Sequence, residues 1–189
     1  MRLLDQVKRR FARAPEPVRV GVAAAGDPEE RVLAWGSLRD KGWLVATSRG
    51  LRVVGSHGQG SGTDLLPWHE VGHGKWSAAR DGGGTFEVTP LAEVEPGVQA
   101  RQPVRRYDLT DAGDLPATVR RRVDETVVVS QRSPLPGSGG VLLVARRIPG
   151  QAAREWTVVF DDDSSRSDPM AREAARQKLA DIVAADQPT

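Results

Sequence analysis

The sequence predicts a mainly β fold that also contains helices, in the α+β class. From residue 31 to residue 109, short apolar runs are separated by Gly, Asp and Ser, with almost no helical spacing between them. In one of these runs Phe86 and Val88 alternate with polar side chains, as in a half-buried strand. Helical spacing returns only at the two ends of the chain and near residue 120. This organisation is typical of an antiparallel sandwich or barrel.

A short amphipathic helix is predicted at residues 2–13. Its apolar side chains share one face: Leu3, Leu4, Val7 and Phe11. Pro15 and Pro17 are predicted to end it, because proline cannot continue a helical hydrogen-bond ladder. Its charged side chains are mostly basic: Arg2, Lys8, Arg9, Arg10 and Arg13 against Asp5. Two interpretations stay open, a helix docked on the sheet with a solvated basic face and a helix lying on an anionic membrane surface.

The next segment contains seven predicted strands. They are Val32–Trp35, Trp43–Ala46, Leu51–Val54, Asp64–Trp68, Trp76–Ala78, Thr85–Thr89 and Val104–Leu109. Ser48-Arg49-Gly50 predicts a tight turn, and therefore a hairpin from Trp43 to Val54. Asp81-Gly82-Gly83-Gly84 predicts another turn.

The second half of the chain contains an inserted helix, three strands and a C-terminal helix. The inserted helix, residues 114–124, has Asp114 as a cap, Pro116 in its first turn and one apolar face: Leu115, Val119 and Val123. The strands are Thr126–Ser130, Gly140–Arg147 and Glu155–Asp161. The C-terminal helix, residues 168–185, has a stripe predicted to be buried: Ala171, Ala175, Leu179, Ile182 and Val183.

The sequence predicts an N-terminal helical segment followed by one domain. Residues 140–189 hold only two strands and one helix, which bury too little surface to form a core alone. We therefore expect residues 1–17 to form the basic helix with its linker, and residues 18–189 to form a single domain.

Composition limits the classes of function. The net charge is only +2 and aromatic residues are 5% of the chain, so no nucleic-acid partner is predicted. The chain has no cysteine, which excludes disulfides and thiolate metal sites and fits a reducing compartment. Its apolar runs are too short to cross a bilayer, and its N-terminus lacks the apolar core of a signal peptide. We expect a soluble, cytoplasmic protein.

One motif with catalytic meaning stands at residues 69–73. The string His69-Glu70-Val71-Gly72-His73 fits H-E-x-x-H, in which two histidines on one helix face hold zinc and the glutamate acts as a general base. Pro67, Gly72 and Gly74 oppose a helix here. The candidate third ligands have no helical ligand context: His57, Glu87, Glu93 and Glu95. An extended segment with Leu66, Trp68 and Val71 towards the core, a turn at Gly72–Gly74 and a new strand at Trp76 is the preferred interpretation.

Three further groups of residues are interpreted as structural and not as binding sites. The Gly-rich loop 55–62 lacks the register and the Gly-Lys-Ser/Thr ending of a phosphate loop. The pairs and triplet of arginines at 105–106, 120–122 and 146–147 are expected on the solvated surface. Asp161-Asp162-Asp163 lacks EF-hand spacing and is expected to form a polar turn.

The order of the apolar runs resembles a bacterial PH-like (pleckstrin-homology-like) family, and in particular uncharacterised actinobacterial proteins of this kind. The resemblance covers about residues 30 to 185. Its first half rests on Val32-Leu33-Ala34-Trp35, Trp43-Leu44-Val45-Ala46-Thr47, Arg49-Gly50-Leu51, Leu66-Pro67-Trp68 with Val71 and Trp76, and Thr85-Phe86-Glu87-Val88. Its second half rests on Leu115-Pro116, Val119, Arg122-Val123, Val127-Val128 and Ala145-Arg146-Arg147. The resemblance implies a bent antiparallel sheet or barrel capped by a C-terminal helix, to which this chain adds an N-terminal helix and an inserted helix.

The resemblance transfers no catalytic residue, and we predict no catalytic, cofactor-binding or metal-ligating residues. The expected function is a non-enzymatic interaction module whose partner is a protein or peptide. Two alternatives remain, a zinc metallohydrolase that uses His69, Glu70 and His73, and a peripheral binder of anionic lipid that uses the N-terminal helix.

Overall fold

The computed structural model describes residues 13–55, 64–80, 83–136, 139–148 and 151–186. The predicted helix at residues 2–13, apart from Arg13, and most of the Gly-rich loop lie outside them. The described chain is mainly β, as predicted. It divides into two compact units, which we call the first unit (residues up to 90 and 103–123) and the second unit (residues 91–102 and from 124 onward). The predicted single domain at residues 18–189 stays a prediction.

The described residues form eleven strands and four helices. The strands are β1 (Val32–Leu38), β2 (Trp43–Thr47), β3 (Gly50–Val54), β4 (Leu65–Pro67), β5 (Val71–Ala78), β6 (Gly84–Glu95), β7 (Val98–Arg101), β8 (Arg105–Asp111), β9 (Val127–Pro134), β10 (Gly140–Arg147) and β11 (Arg154–Phe160). The helices are α1 (Glu16–Ala23), α2 (Leu115–Thr126), α3 (Asp163–Ser167) and α4 (Pro169–Asp186). All ten predicted strands and the two predicted helices near residues 120 and 177 are present. The prediction missed β7, α1 and α3.

The first unit contains an antiparallel sheet in the order β4-β3-β2-β1-β8-β6-β5. The first and last strands of this order, β4 and β5, are consecutive in the chain and are joined by one 3-10 turn at Trp68–Glu70. Strands β1 and β8 meet through only two pairs, Ser37 with Asp111 and Leu38 with Leu109, with a register shift between them. The strand order is open and has two ends.

The hairpin predicted between Trp43 and Val54 is confirmed. Trp43 pairs with Val54, and the Thr47 hydroxyl accepts hydrogen bonds from the backbone N–H groups of Arg49 and Gly50 at 3.1 Å each. Gly50 is required by close approach, since a Cβ there would lie 2.2 Å from the carbonyl oxygen of Leu66 on β4.

The main core of the first unit lies between the sheet and α2. Leu115 and Val119 of α2 are buried, and Val123 packs against them, as the apolar face of the inserted helix predicted. Leu44, Phe86 and Leu109 meet this face from the sheet. The helix inside this core is therefore α2, whereas the resemblance assigned the capping position to the C-terminal helix.

The helix α1 begins where the sequence predicted a helix to end. Pro15 is its N-cap residue with extended backbone, and Pro17 lies in the first turn, where a missing N–H costs no hydrogen bond. Val18 and Val22 are buried against Val45 and Val54. The prolines thus mark a helix start, and α1 crosses the predicted boundary between residues 17 and 18.

A buried ion pair joins Glu30, which precedes β1, to Arg52 of β3. The Arg52 guanidinium donates to both carboxylate oxygens of Glu30, with Nε–Oε1 2.7 Å and Nη2–Oε2 2.9 Å. The Thr47 hydroxyl donates a third hydrogen bond to Glu30 at 2.6 Å. Because neither charged side chain reaches solvent appreciably, this cluster replaces hydration with directed hydrogen bonds.

The second unit has its own sheet and core. From Leu91 onward β6 pairs with β7, and the order continues as β11-β10-β9, with β7 and β11 parallel and the other pairs antiparallel. Ala171 and Ala175 of α4 are buried against Val98, Val141 and Val158, with Leu179 partly buried beside them. Val183 is exposed, so the predicted stripe was wrong at that position.

The N-terminus of helix α3 is capped by the side chain of Asp162. Asp162 accepts hydrogen bonds from the Ser164 hydroxyl at 2.6 Å and from the Ser165 N–H at 2.7 Å. These hydrogen bonds, together with one from the Ser165 hydroxyl, hold the pKa of Asp162 below its ordinary value. A depressed carboxyl pKa stabilises the fold above the unfolded-state value, and that stabilisation is lost as pH falls through the folded-state value.

We expect Asp162→Ala to lower Tm by a few degrees at pH 6 and by less at a more acidic pH, because protonation of Asp162 in the wild-type protein progressively removes the charged cap. Thermal unfolding of the full chain should be followed by circular dichroism. Asp162→Asn is the control, since asparagine can still cap. An Asp162→Ala deficit of equal size at both pH values would contradict the charged-cap interpretation.

Candidate functional site

The HEVGH segment is helical for one 3-10 turn only. His69 lies in the turn Trp68–Glu70, and the backbone is extended from Val71 onward, so His73 lies in β5. The two imidazoles therefore do not share a helix face, which the zinc chemistry of H-E-x-x-H requires. The prediction that this segment is not a continuous helix is confirmed.

The predicted turn at Gly72–Gly74 was wrong. Val71 pairs with Pro90 and His73 pairs with Thr89, so Gly72 is the extra residue of a β-bulge and the strand continues through it. Leu66, Trp68 and Val71 are buried, as predicted.

The carboxylates considered as third zinc ligands, Glu87, Glu93 and Glu95, have other partners. Glu70 lies 3.9 Å from His69 Nε2, and Glu87 accepts from Arg106 Nε at 2.9 Å. Glu93 accepts from the backbone N–H of Gly97 at 2.9 Å, and Glu95 is held by two arginines described below. His57 lies outside the described residues. Within the described ranges, no group of three or more His, Cys, Asp or Glu side chains is close enough to hold a metal ion.

The arginine pairs divide between surface and interior. Arg105, Arg106 and Arg147 are exposed, as predicted. Arg146 is buried, which the prediction had wrong; its Nη1 donates to the Thr126 hydroxyl at 2.9 Å, and burial lowers its pKa.

The three aspartates at residues 161–163 are engaged by protein groups. Asp161 accepts from Arg132 at 2.8 Å, and Asp162 caps α3 as described above. Asp163 accepts from Arg166 at 3.0 Å. The carboxylates thus organise the polar segment between β11 and α4.

One exposed strand edge of the first unit belongs to β5, and we call it the β5 edge (residues 73–78). In the described part of the chain β5 pairs with β6 alone, so its other edge has no strand partner there. His73, Gly74, Lys75, Ser77 and Ala78 are exposed. An unpaired, exposed strand edge presents N–H and C=O groups that can pair with another extended chain.

The two faces of the β5 edge differ. Gly74 and Trp76 are on the face towards the core, since a Cβ at Gly74 would lie 3.4 Å from Phe86 Cζ and 3.7 Å from Val119 Cγ1 of α2. Trp76 packs against the same core. His73, Lys75 and Ser77 alternate with these residues and therefore face the opposite side. Side chains of a strand added beside β5 would lie, at alternate positions, on the same side as Gly74 and the partly buried Trp76.

A second candidate site is a cavity of about 390 Å³ within the second unit, which we call the arginine cavity. It is lined by side chains from β6, β7, β11, α3 and α4: Val94, Glu95, Val98, Phe160, Arg166, Ser167, Arg172 and Arg176. Glu95 accepts hydrogen bonds from Arg172 and from Arg176, the latter at 3.0 Å, and these two guanidinium groups hold its pKa below the ordinary value.

The sequence interpretation missed the arginine cavity. One signal was present, since Arg172 and Arg176 are four residues apart on one face of the predicted C-terminal helix. Glu95 and Arg166 come from segments far apart in the sequence, so their position beside that face required the fold.

The comparisons with known proteins identify no relative. No protein-family model matches the chain, and neither the curated proteins nor the solved structures include one with significant similarity to it. Among the helices of the described ranges, none combines the length and the apolar character that a membrane crossing needs.

Proposed function

We propose that this chain is a non-enzymatic interaction module of PH-like type that binds an extended peptide along the β5 edge. The observation that carries the proposal is the exposed edge of β5, which has no strand partner in the described chain and has the partly buried Trp76 on its core-facing side. Strand addition is a general mode of peptide recognition in which backbone hydrogen bonds supply affinity and alternate side chains supply specificity.

Two features of the first unit support the PH-like assignment. Its antiparallel strand order returns to β1 through β8, and the helix that follows β8 is buried in the core. The resemblance implied a bent antiparallel sheet capped by a C-terminal helix, and in the first unit the helix in that position is α2, which follows β8.

The two faces of the β5 edge indicate which side chains a bound peptide should carry. Every second side chain of the peptide would lie on the side of Gly74 and Trp76, where apolar groups are favoured. The opposite side carries His73 and Lys75, where polar or acidic groups are favoured. A cytoplasmic location is part of the proposal, because a chain without cysteines needs no oxidising compartment.

We expect peptides selected from a random decapeptide library against the full chain to alternate apolar and polar residues. Amide hydrogen exchange should show added protection at residues 73–78 when a selected peptide is bound, because its backbone pairs with the β5 edge. Methylation of alternate peptide nitrogens should weaken binding about tenfold or more, since each methyl removes a donor and blocks close approach. Selected peptides that leave these amides unprotected would contradict the proposal.

Two variants test which face is used. Gly74→Asp places a carboxylate on the apolar side and should weaken the selected peptide about tenfold or more. Ser77→Asp adds the same charge on the opposite side of the same strand and should change Kd less than about threefold. Equal effects of the two variants would count against the face assignment.

A further inference from the structure

The lining of the arginine cavity carries an excess of positive charge. Three guanidinium groups, from Arg166, Arg172 and Arg176, face one carboxylate, Glu95. Two other carboxylates touch these arginines from outside the lining: Asp163 contacts Arg166, and Glu173 contacts Arg176 at 3.6 Å. Their side chains are 89% and 74% exposed, so solvent weakens both contacts. The lining therefore favours an anion.

Arg166 has an unused donor in this environment. Its Nη2 donates to Asp163, but its Nε is screened from solvent and has no hydrogen-bond partner in the described chain. A buried donor without an acceptor is unfavourable, and an anion would satisfy it once the Arg166 side chain turns this nitrogen towards the cavity. This observation is independent of the net charge.

Apart from Ser167, the rest of the lining is apolar. Val98 and Phe160 are buried members of the core of the second unit, and Val94 contributes a further aliphatic side chain. A cavity of about 390 Å³ is within the range of small-molecule sites and exceeds the volume of an inorganic anion. Its ligand should therefore combine an anionic group with an apolar body.

We propose that the arginine cavity binds a small organic phosphate, a phosphomonoester whose phosphate contacts Arg166, Arg172 and Arg176 and whose apolar body contacts Val98 and Phe160. A phosphomonoester carries a charge near −2 at neutral pH, which is opposite in sign to the excess charge of the lining side chains. The three terminal oxygens of the phosphate can accept hydrogen bonds from guanidinium groups in three different directions. A carboxylate has only two oxygens, and that of Glu95 accepts from two of the three arginines, Arg172 and Arg176. The site is separate from the β5 edge, and neither proposal depends on the other.

Phenyl phosphate is a suitable probe, since it has both parts of the predicted ligand. Calorimetry with the full chain should detect saturable binding that weakens as NaCl rises. Inorganic phosphate, which lacks the ring, should bind at least about tenfold more weakly, and phenol, which lacks the charge, should not bind detectably. Equal affinity for phenyl phosphate and inorganic phosphate would overturn the part of the proposal that concerns the apolar body.

Charge variants test the arginines. Arg166→Gln and Arg172→Gln should each raise Kd about tenfold or more, because each removes charge-assisted hydrogen bonds. Lys178→Gln removes one positive charge from α4, the helix of Arg172, outside the cavity lining and is the matched control, with an expected change below about threefold. Equal loss in the control would show that only overall charge matters and would overturn the site.

Glu95→Gln separates a binding site from a structural ion cluster. If the arginines serve the ligand, removing the competing carboxylate should leave phosphate binding intact and lower Kd. If they serve only to hold Glu95, the variant should lower Tm without improving affinity. Failure of phenyl phosphate to bind either the wild-type chain or Glu95→Gln, with both folded by circular dichroism, would overturn the proposal.

Discussion

Replacing Glu30 with alanine is expected to lower the free energy of unfolding of the first unit by about 3–5 kcal/mol. The substitution removes the carboxylate that accepts two hydrogen bonds from Arg52 and one from Thr47. The Arg52 charge would then remain in an interior position without its carboxylate, since only 7% of its side chain is exposed. Desolvation of a charge without its partner is among the largest penalties that one substitution can create.

Urea unfolding followed by tryptophan fluorescence checks this prediction. Four of the five tryptophans belong to the first unit: Trp35, Trp43, Trp68 and Trp76. Glu29→Ala is the control, since the Glu29 side chain is 82% exposed and contacts Arg49 at 3.4 Å; it should change the free energy of unfolding by less than about 1 kcal/mol. The double variant Glu30→Leu/Arg52→Met should be more stable than Glu30→Ala, because it removes both charges together. Similar losses for Glu29→Ala and Glu30→Ala would contradict the buried-pair interpretation.

The Glu30–Arg52 pair also shows where sequence reasoning stops. The two residues are 22 positions apart, and nothing in the local pattern distinguishes Glu30 from the exposed Glu29 beside it. Charged residues are usually on the surface, so a buried pair is recognised only when the pairing of distant segments is known.

Local patterns predicted the strands well because each depends on its own residues. The hairpin turn at Ser48-Arg49-Gly50 and the apolar face of α2 needed no knowledge of distant segments. The missed strand β7 has only four residues, and it follows a Pro96-Gly97 turn signal that was not used. The missed α1 shows the other ambiguity, since proline is compatible with both the end and the first turn of a helix.

The HEVGH segment was predictable in outline and not in detail. Pro67, Gly72 and Gly74 are local signals against a helix, and the structure has one turn followed by a strand. The distinction between a turn at Gly72–Gly74 and a bulge at Gly72 depends on the register against β6, which the sequence of β5 does not contain. For the same reason the exposed edge could not be predicted, because a strand becomes an edge through the order of the whole sheet.

A second large loss of stability is expected from substitution of Phe86, which is 2% exposed and lies on the core-facing side of β5, next to Gly74. Phe86→Ala should lower the free energy of unfolding by about 3–5 kcal/mol, because it removes a buried ring and leaves a cavity beside Gly74 and Val119. Urea unfolding with tryptophan fluorescence checks it. Val104→Ala, at a side chain that is 50% exposed, is the control and should change stability by less than about 0.5 kcal/mol.

This substitution also links stability to the proposed function. At a temperature where Phe86→Ala remains folded, loss of the ring beneath Gly74 should weaken a peptide selected for the β5 edge by several-fold, because β5 loses part of the surface that positions it. Phenyl phosphate binding in the second unit should stay within about twofold of wild type, since Phe86 is not among the residues that line the arginine cavity. Unchanged peptide affinity in the folded variant would show that peptides bind elsewhere, and it would remove the β5 edge as the recognition surface.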